Sequence, residues 1–329
     1  PNYWDKDPLN RGNQLPYLDG VKMLVIPDAS TRVAALRTAR VDLLLGVAWE
    51  DTASLKASHP DIQWSKVLDV SSYKIFMRND KAPYNDIRVR RALAMAIDNQ
   101  AIARDYYGGN AEILAFPLAP IPEHADMYTP LDKLPQAARE LFEYNPDKAK
   151  QLLAEAGYPK GFKTSIVCYA PHVDLLSIIK DYWARIGVDL TLDVKEYGIW
   201  TSMTRARTHT HMAYMYLSSL SNAHKLYYLR PGLAQNMSYI DDKRCVEVYD
   251  AMQANYWDRN KRRQLFKEFV PYTLEQAWII QPPAPYSFQA WWPWVKNYHG
   301  EYTVGYMDLH NYPIWIWLDQ GLKEKMTGR

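Results

Sequence analysis

The sequence lacks any long hydrophobic run, and it is poor in cysteine. Its strongest apolar stretches, VDLLLGVAW and YPIWIWL, fall well short of the roughly 20 residues that cross a bilayer as a helix, which excludes an ordinary transmembrane helix. Only two cysteines are present, Cys168 and Cys245. Two unpaired, partly buried thiols are the first expectation. A disulfide, which would fit an oxidising compartment, is the alternative.

An excess of charge of one sign is also absent. The 39 Lys and Arg residues nearly balance the 37 Asp and Glu residues, for a formal net charge of +2. The chain therefore has no general electrostatic attraction for nucleic acid, and we expect no nucleic-acid partner. Its 329 residues, 48% hydrophobic and 23% charged, are typical of a globular protein with about two domains.

The common catalytic motifs are missing. The sequence contains no G-x-S-x-G, H-E-x-x-H, G-x-x-x-x-G-K-[ST], G-x-G-x-x-G or C-x-x-C. His209 and His211 could meet a metal together with His224, but an exposed turn is the preferred interpretation. We therefore predict no catalytic residues, no metal and no cofactor. This absence favours a binding protein over an enzyme.

Aromatic residues are abundant, with 25 Tyr and 12 Trp. These side chains combine a flat apolar face with a polar group, and they suit both pockets and cores. The pattern from residue 162 to 219 predicts β-α-β-α-β with parallel strands, which makes the chain α/β. Ligands of such units bind beyond the carboxyl ends of the strands. Two segments, CYAPH (168–172) and YLSSLSNAH (216–224), lie at such strand ends, so we place a possible ligand-binding site there.

Two further segments carry predictions. GVKMLVIPD (20–28) alternates and is predicted to be a strand. In YNDIRVRRALAMAID (84–98), Asn85 or Asp86 can cap an amphipathic helix that begins with three arginines. We expect those arginines to hold neighbouring carboxylates or loop carbonyls rather than a ligand. Proline-rich residues 115–146 are predicted to form an extended surface wrap.

Four blocks in fixed order resemble the extracellular solute-binding proteins of family 5, the peptide/nickel-type receptors of ABC importers. They are PNYWDKD…LPYLDGVKMLVIPDASTRVAALRTARVDLL, APYNDIRVRRALAMAIDNQAI, YNPDKAKQLLAEAGYPKGF and DYWARIGVDLTLDVKEYGIW. The resemblance implies a periplasmic-binding-protein-like α/β fold of the type II, cluster C-like kind. Its two lobes, joined by crossing strands, would close on a ligand. Residues 1–76 would belong to lobe I, 77–283 to lobe II and 284–329 to lobe I again, with the N-terminal part of lobe I missing.

By this resemblance the protein would be an extracytoplasmic, monomeric receptor that passes a peptide-like, opine or sugar-like ligand to a membrane permease. It would work in the periplasm or at the cell surface. A docking or chaperone-like protein that kept the fold but lost transport is the alternative. Peptide-binding relatives follow the third lobe II strand with Gly-Trp and an Asp that pairs with the ligand's amino group. Here Tyr216 and Ser219 stand at about the Trp and Asp positions, which speaks against strict recognition of a peptide N-terminus.

Hydroxyl, amide and aromatic side chains near the predicted strand ends suit a neutral or sugar-like ligand. The candidate ligand-binding residues are Tyr216, Ser218, Ser219, Asn222, Trp49, Tyr73, Tyr286 and His172. Trp291, Trp292 and Trp294 lie past the second crossing and are expected to pack in lobe I instead.

Overall fold

The computed structural model of the chain describes residues 4–217, 226, 228–301 and 312–328. The strands are β1 Leu43–Val47, β2 Gln63–Leu68, β3 Tyr73–Met77, β4 Ala111–Glu112, β5 Lys163–Tyr169, β6 Asp189–Lys195, β7 Met212–Tyr216, β8 Ile279–Ile280, β9 Ala284–Trp291, β10 Val295–Lys296 and β11 Trp317–Leu318. The helices are α1 Ala29–Arg37, α2 Trp49–Ser58, α3 Ile87–Met95, α4 Asn99–Ala101, α5 Gln136–Arg139, α6 Pro146–Glu155, α7 Val173–Ala184, α8 Tyr197–Arg205, α9 Lys243–Ala254, α10 Arg259–Glu275 and α11 Gln320–Thr327. A π-helical segment, Ile102–Tyr106, continues α4.

The chain divides into two compact units. Unit 1 consists of Pro1–Leu68 and Tyr286–Arg329, and unit 2 is the continuous segment Asp69–Pro285. The chain passes between units at 68/69 and 285/286, whereas the sequence analysis placed the lobe boundaries at 76/77 and 283/284. That each unit corresponds to one lobe stays a prediction.

Unit 2 is built on a five-stranded sheet in the order β6-β5-β7-β3-β8. Strand β5 is parallel to β6 and β7, while β3 is antiparallel to β7 and β8. Helix α7 connects β5 to β6, and α8 connects β6 to β7, so the predicted β-α-β-α-β unit is confirmed. Because β5, β6 and β7 are parallel, their carboxyl ends share one edge of the sheet.

Unit 1 has an antiparallel sheet in which β9 lies between β1 and β2. Its core includes Trp291, Trp292 and Trp294, all buried, and the last two rings stack with centroids 4.7 Å apart. The prediction that these tryptophans pack rather than line a pocket is confirmed.

The strand predicted over residues 20–28 is wrong. Residues 20–28 form neither helix nor strand, and Val21, Met23, Leu24 and Val25 are exposed. Alternation of apolar residues favours a strand only when a neighbouring strand accepts its hydrogen bonds, and none of the described strands pairs with this segment.

The three arginines of the sequence pattern lie in helix α3, and the structure shows their partners. Asp86 caps the helix by accepting a hydrogen bond from the Arg88 N–H at 2.8 Å. The arginine side chains bond to carboxylates and carbonyls as expected: Arg88 to Asp86 and Glu155 O, Arg90 to Tyr84 O and Gln276 O, and Arg91 to Glu140, Ala137 O and Glu275 O. These cations therefore join segments of unit 2 and are not held for a ligand.

Residues 115–146 depart from the predicted surface wrap. They contain short helical turns, and Phe116, Leu118, Met127 and Leu134 are buried in the unit 2 core. Cys168 and Cys245 are buried and unpaired, as first expected. In the described residues, no helix combines the length and the apolar character needed to cross a membrane.

Candidate ligand-binding site

Four strands, β3, β5, β6 and β7, each have an end at one edge of the unit 2 sheet. Strands β5 and β7 end there at Tyr169 and Tyr216. Strand β3 runs the other way and begins there, with Tyr73 directly opposite Tyr216. This is the edge at which α/β units bind ligands.

An aromatic cluster covers this edge. Its members are Tyr73, Tyr169, His172, Tyr197, Trp200, Tyr214 and Tyr216, which come from β3, β5, β7, α8 and the turn before α7. The His172 ring lies 4.2 Å from both Tyr73 and Tyr169, measured between centroids. Tyr169 is 4.6 Å from Trp200, and Tyr73 is 6.1 Å from Tyr216. The rings thus form one connected group that can offer faces and edges to a ligand.

His172 sits inside this cluster with only 5% of its surface exposed. Both ring nitrogens are buried, and neither has a hydrogen-bond partner in the part of the chain that is described. Burial lowers the pKa of His172 to about 4, so the ring is neutral at pH 7. A neutral imidazole has one N–H donor and one acceptor nitrogen, and leaving both unsatisfied in a buried place is costly.

The rim of the cluster is more accessible. Tyr216 is 40% exposed and Tyr197 is 57% exposed. The Tyr216 hydroxyl oxygen accepts a hydrogen bond from Arg205 Nη2 at 3.2 Å. Burial raises the pKa of Tyr73 far above its ordinary value, so its phenol stays protonated and can donate. The cluster side chains include no carboxylate, and they favour stacking and hydroxyl hydrogen bonds over ion pairing.

Lys74 lies buried next to this edge and hydrogen-bonds to the backbone there. It is fully buried, and its ammonium donates to Ser72 O at 2.7 Å, to Leu217 O at 2.5 Å and to Ser72 Oγ at 3.2 Å. These hydrogen bonds tie the residue before β3 to the residue after β7. Lys74 therefore positions the strand ends that carry Tyr73 and Tyr216.

The eight candidate residues are distributed between the units. Tyr73, His172 and Tyr216 come together in the aromatic cluster. Ser218, Ser219 and Asn222 lie outside the described residues.

Trp49 and Tyr286 belong to unit 1. Trp49 begins α2 and packs partly buried against the unit 1 core. Tyr286 lies opposite Leu68 in the sheet, with Lys66 Nζ 4.2 Å from its ring centroid. The binding role of both residues stays a prediction.

Sequence reasoning missed several members of the cluster and its support: Tyr169, Tyr197, Trp200, Tyr214 and Lys74. Tyr169 lies within CYAPH, the segment that the sequence already placed at a possible site. Trp200 and Tyr214 read as core residues, and they are indeed buried. Lys74, a lone cation in an otherwise apolar strand, was the clearest local signal.

The histidine pair considered for a metal forms other contacts. His211 Nδ1 lies 3.0 Å from Ser165 Oγ. The expected exposed turn is wrong for His209, which is fully buried. His224 is outside the described residues. Among the residues that are described, no three His, Cys, Asp or Glu side chains are placed to hold a metal ion.

Comparison with known proteins places these features in context. A family profile described as "Bacterial extracellular solute-binding proteins, family 5 Middle" matches residues 1–236. Heme-binding protein A of Haemophilus influenzae is 33% identical over 195 residues, covering 57% of this chain and 32% of that protein. Glutathione-binding protein GsiB of Salmonella typhimurium is 28% identical over 187 residues, covering 56% of this chain and 34% of that protein. The matches thus span about a third of the length of these curated relatives.

A solved structure is similar in fold. The periplasmic binding protein DppA of Helicobacter pylori, in complex with the peptide STSA, superposes with a TM-score of 0.71. It is 24% identical, and the match covers 89% of this chain and 56% of that chain. The expected periplasmic-binding-protein-like α/β fold is confirmed.

Proposed function

Since the chain belongs to the bacterial extracellular solute-binding proteins of family 5, we propose that the protein is an extracytoplasmic receptor that binds a solute and delivers it to an ABC importer. The permease, a location in the periplasm or on the cell surface, a monomeric state and the lack of catalytic activity are parts of the same proposal. The observation that carries it is the aromatic cluster at the carboxyl edge of the unit 2 sheet.

The cluster favours a ligand with a flat, weakly charged part. Rings of Tyr73, Tyr216 and Tyr197 supply stacking faces and phenol groups. A ligand ammonium group would find no carboxylate among the cluster side chains. It would gain cation–π attraction from the rings, and the charge of Asp69, which acts on Tyr73, lies outside the cluster. Peptide-like, opine and sugar-like ligands all fit if the group next to the cluster is neutral.

His172 is the second polar feature of the proposed site. A ligand or water that reached its ring could satisfy one donor and one acceptor at once. Unit 1 would contribute Trp49 and Tyr286 if the two units correspond to the lobes of the family. Ser218, Ser219 and Asn222 keep their proposed roles on sequence grounds alone.

The test begins with native mass spectrometry of the protein purified without detergent, followed by denaturation to identify any released molecule. Titration calorimetry then compares Tyr216→Ala with Trp317→Ala. Trp317 is a matched control because it is 41% exposed, like Tyr216, but lies in β11 of unit 1. Loss of one stacking ring should weaken binding by roughly ten-fold in Tyr216→Ala, and Trp317→Ala should bind like the wild type.

A protein that releases nothing, and that ignores peptides, oligosaccharides and metal chelates in thermal-shift assays, would contradict the receptor function. The docking or chaperone-like alternative would then have to be tested. The comparisons give that alternative no support, because the similar proteins carry the names of binders of heme, glutathione and a peptide.

A further inference from the structure

The connection between α9 and α10 carries two neighbouring aromatic side chains that are open to solvent. Trp257 is 93% exposed and Tyr256 is 54% exposed, with ring centroids 4.9 Å apart. From residue 228 to residue 285, the described chain has no other large apolar side chain with such exposure. Leaving a tryptophan in water is unfavourable, and an exposed pair of rings commonly marks a contact surface.

Three cations follow these rings in the first turn of α10. Arg259, Lys261 and Arg262 form no ion pair with any described residue. Cations at the start of a helix are disfavoured by the helix dipole. The net charge of the whole chain is only +2, so this excess is a local property. An external anion would offset its cost.

A cleft beside the cations offers a place for such an anion. It has a volume of about 230 Å³, with Met127, Met252 and Phe266 in its lining. Arg259, Arg262, Arg263 and Glu123 supply the charged part of the lining.

The arginines of the cleft differ in the hydrogen-bond and ion-pair partners that they already have. Arg263 is already held by Asp126 and by Glu123 O. Arg262 lies 5.4 Å from the Tyr256 ring, and its Nε is buried without a hydrogen-bond partner in the described chain. Arg259 acts on Asp126 through its charge, but neither Arg259 nor Arg262 forms an ion pair with a described carboxylate. Both can therefore bond to a phosphate group.

We propose that this tip, made of Tyr256, Trp257, Arg259, Lys261 and Arg262, docks on an anionic phospholipid surface. Trp and Tyr prefer the interfacial region of a bilayer, and clustered Lys and Arg are attracted to anionic head groups. The cleft would take a head-group phosphate while the two rings enter the interface. The proposal does not depend on the identity of the solute ligand.

A protein partner is less well supported by the same surface. Stable protein interfaces bury about 800 Å² on each partner around an apolar centre. Here the exposed apolar surface is confined to two rings at a helix connection, surrounded by cations. A few inserted aromatic groups combined with basic residues are typical of peripheral binding to lipid.

The test is sedimentation of the full chain with vesicles. Vesicles of phosphatidylcholine alone are compared with vesicles that contain about 30% phosphatidylglycerol. The protein should bind only the anionic vesicles, and about 0.5 M salt should release it. Trp257→Ala and the double variant Arg259→Gln/Arg262→Gln should each lower binding by roughly ten-fold or more.

Matched controls lie elsewhere on the surface. Trp4→Ala removes a ring that is 82% exposed, and Lys160→Gln/Lys163→Gln removes the same charge from another exposed region. Both should bind like the wild type. Equal binding to the two kinds of vesicle, or unchanged binding by the Trp257 and arginine variants, would overturn the proposal. So would capture of polyglutamate without capture of vesicles, which would indicate an acidic protein as the partner.

Discussion

The imidazole of His172 is enclosed by Tyr73, Tyr169 and Trp200, and this burial lowers its pKa to about 4, from 6.5 in an unfolded chain. Between these two values the unfolded chain binds a proton that the folded chain does not. Stability contributed by the neutral ring is therefore present above pH 6.5 and is lost as the pH falls toward 4.

We predict that His172→Phe removes this pH dependence at the residue. The stability of the wild type relative to the variant should fall on acidification from pH 6.5 to 4 by up to about 1.4 kcal/mol per pH unit. Urea denaturation at several pH values measures it. Parallel loss of stability in both proteins across this range would show that His172 does not take up the proton on unfolding.

The protonation of Lys74 also links the folding stability to pH. Burial lowers its pKa to about 7, from 10.5, although nearby Asp69 acts in the opposite direction. Between pH 7 and 10.5 the unfolded lysine holds a proton that the folded one has released, so stability rises with pH in that range.

For Lys74→Met, which keeps most of the side-chain volume, we expect this rise to disappear. The wild type should gain stability relative to the variant above pH 7, by at most about 1.4 kcal/mol per pH unit. Guanidinium denaturation at pH 6, 8 and 9.5 distinguishes the two proteins. A difference that stays constant over this range would mean that the ammonium, held by Ser72 O and Leu217 O, remains charged throughout.

At the scale of elements, two glycines bring the starts of β5 and β6 together. Gly161 has φ +74°, and a Cβ there would lie 1.9 Å from the carbonyl oxygen of Gly187. Gly157, after α6, has φ +93° but no atom within 4 Å of such a Cβ. A side chain at Gly157 or at Gly161 would pay the strain of a positive φ. Only at Gly161 would it also collide with the Gly187 backbone.

Gly157→Ala should cost about 1–2 kcal/mol of unfolding free energy, because it adds only backbone strain. Gly161→Ala should cost at least about 3 kcal/mol, because the backbone at Gly187 must move as well. Urea titrations followed by circular dichroism compare the pair. An equal loss of unfolding free energy in the two variants would show that the backbone at Gly161 does not pack closely against Gly187 in solution.

Local signals predicted many elements well. Asn85 or Asp86 was expected to cap a helix, and Asp86 does so by accepting the Arg88 N–H hydrogen bond. Asp28 and Asn145 likewise accept a backbone hydrogen bond at the start of α1 and α6. The failures were segments whose conformation depends on distant partners. Residues 20–28 alternate like a strand but pair with no described strand. In residues 115–146 the many prolines suggested a surface segment, yet the apolar side chains between them are buried in the unit 2 core.

At the scale of the whole molecule, each unit has its own core. Two of the apolar clusters draw all their buried members from unit 2, and the third draws all of its members from unit 1. Unit 2 is also continuous in sequence, whereas unit 1 combines two distant segments. A domain with its own core and a continuous chain can fold alone.

We therefore expect a fragment of residues 69–285 to fold by itself and to unfold cooperatively on heating. Circular dichroism and the dispersion of its NMR spectrum are the measurements. Phe269→Ala, which truncates a ring that is 1% exposed in the unit 2 core, should lower the midpoint because it leaves a cavity costing about 3–5 kcal/mol. A fragment without a cooperative transition would show that unit 2 depends on the rest of the chain.

The amino-acid sequence by itself determined the α/β class, the β-α-β-α-β unit, the cap of α3 and the resemblance to family 5, because caps, periodicity and ordered blocks are read from neighbouring residues. Only the tertiary structure decided which aromatic side chains meet. Tyr73 and Tyr169 lie 96 positions apart, with hydroxyl oxygens 3.4 Å apart, because β3 and β5 flank β7 in the sheet. The hydrogen bond from Lys74 Nζ to Leu217 O and the rings that surround His172 follow from the same strand order, which brings together segments that are distant in sequence.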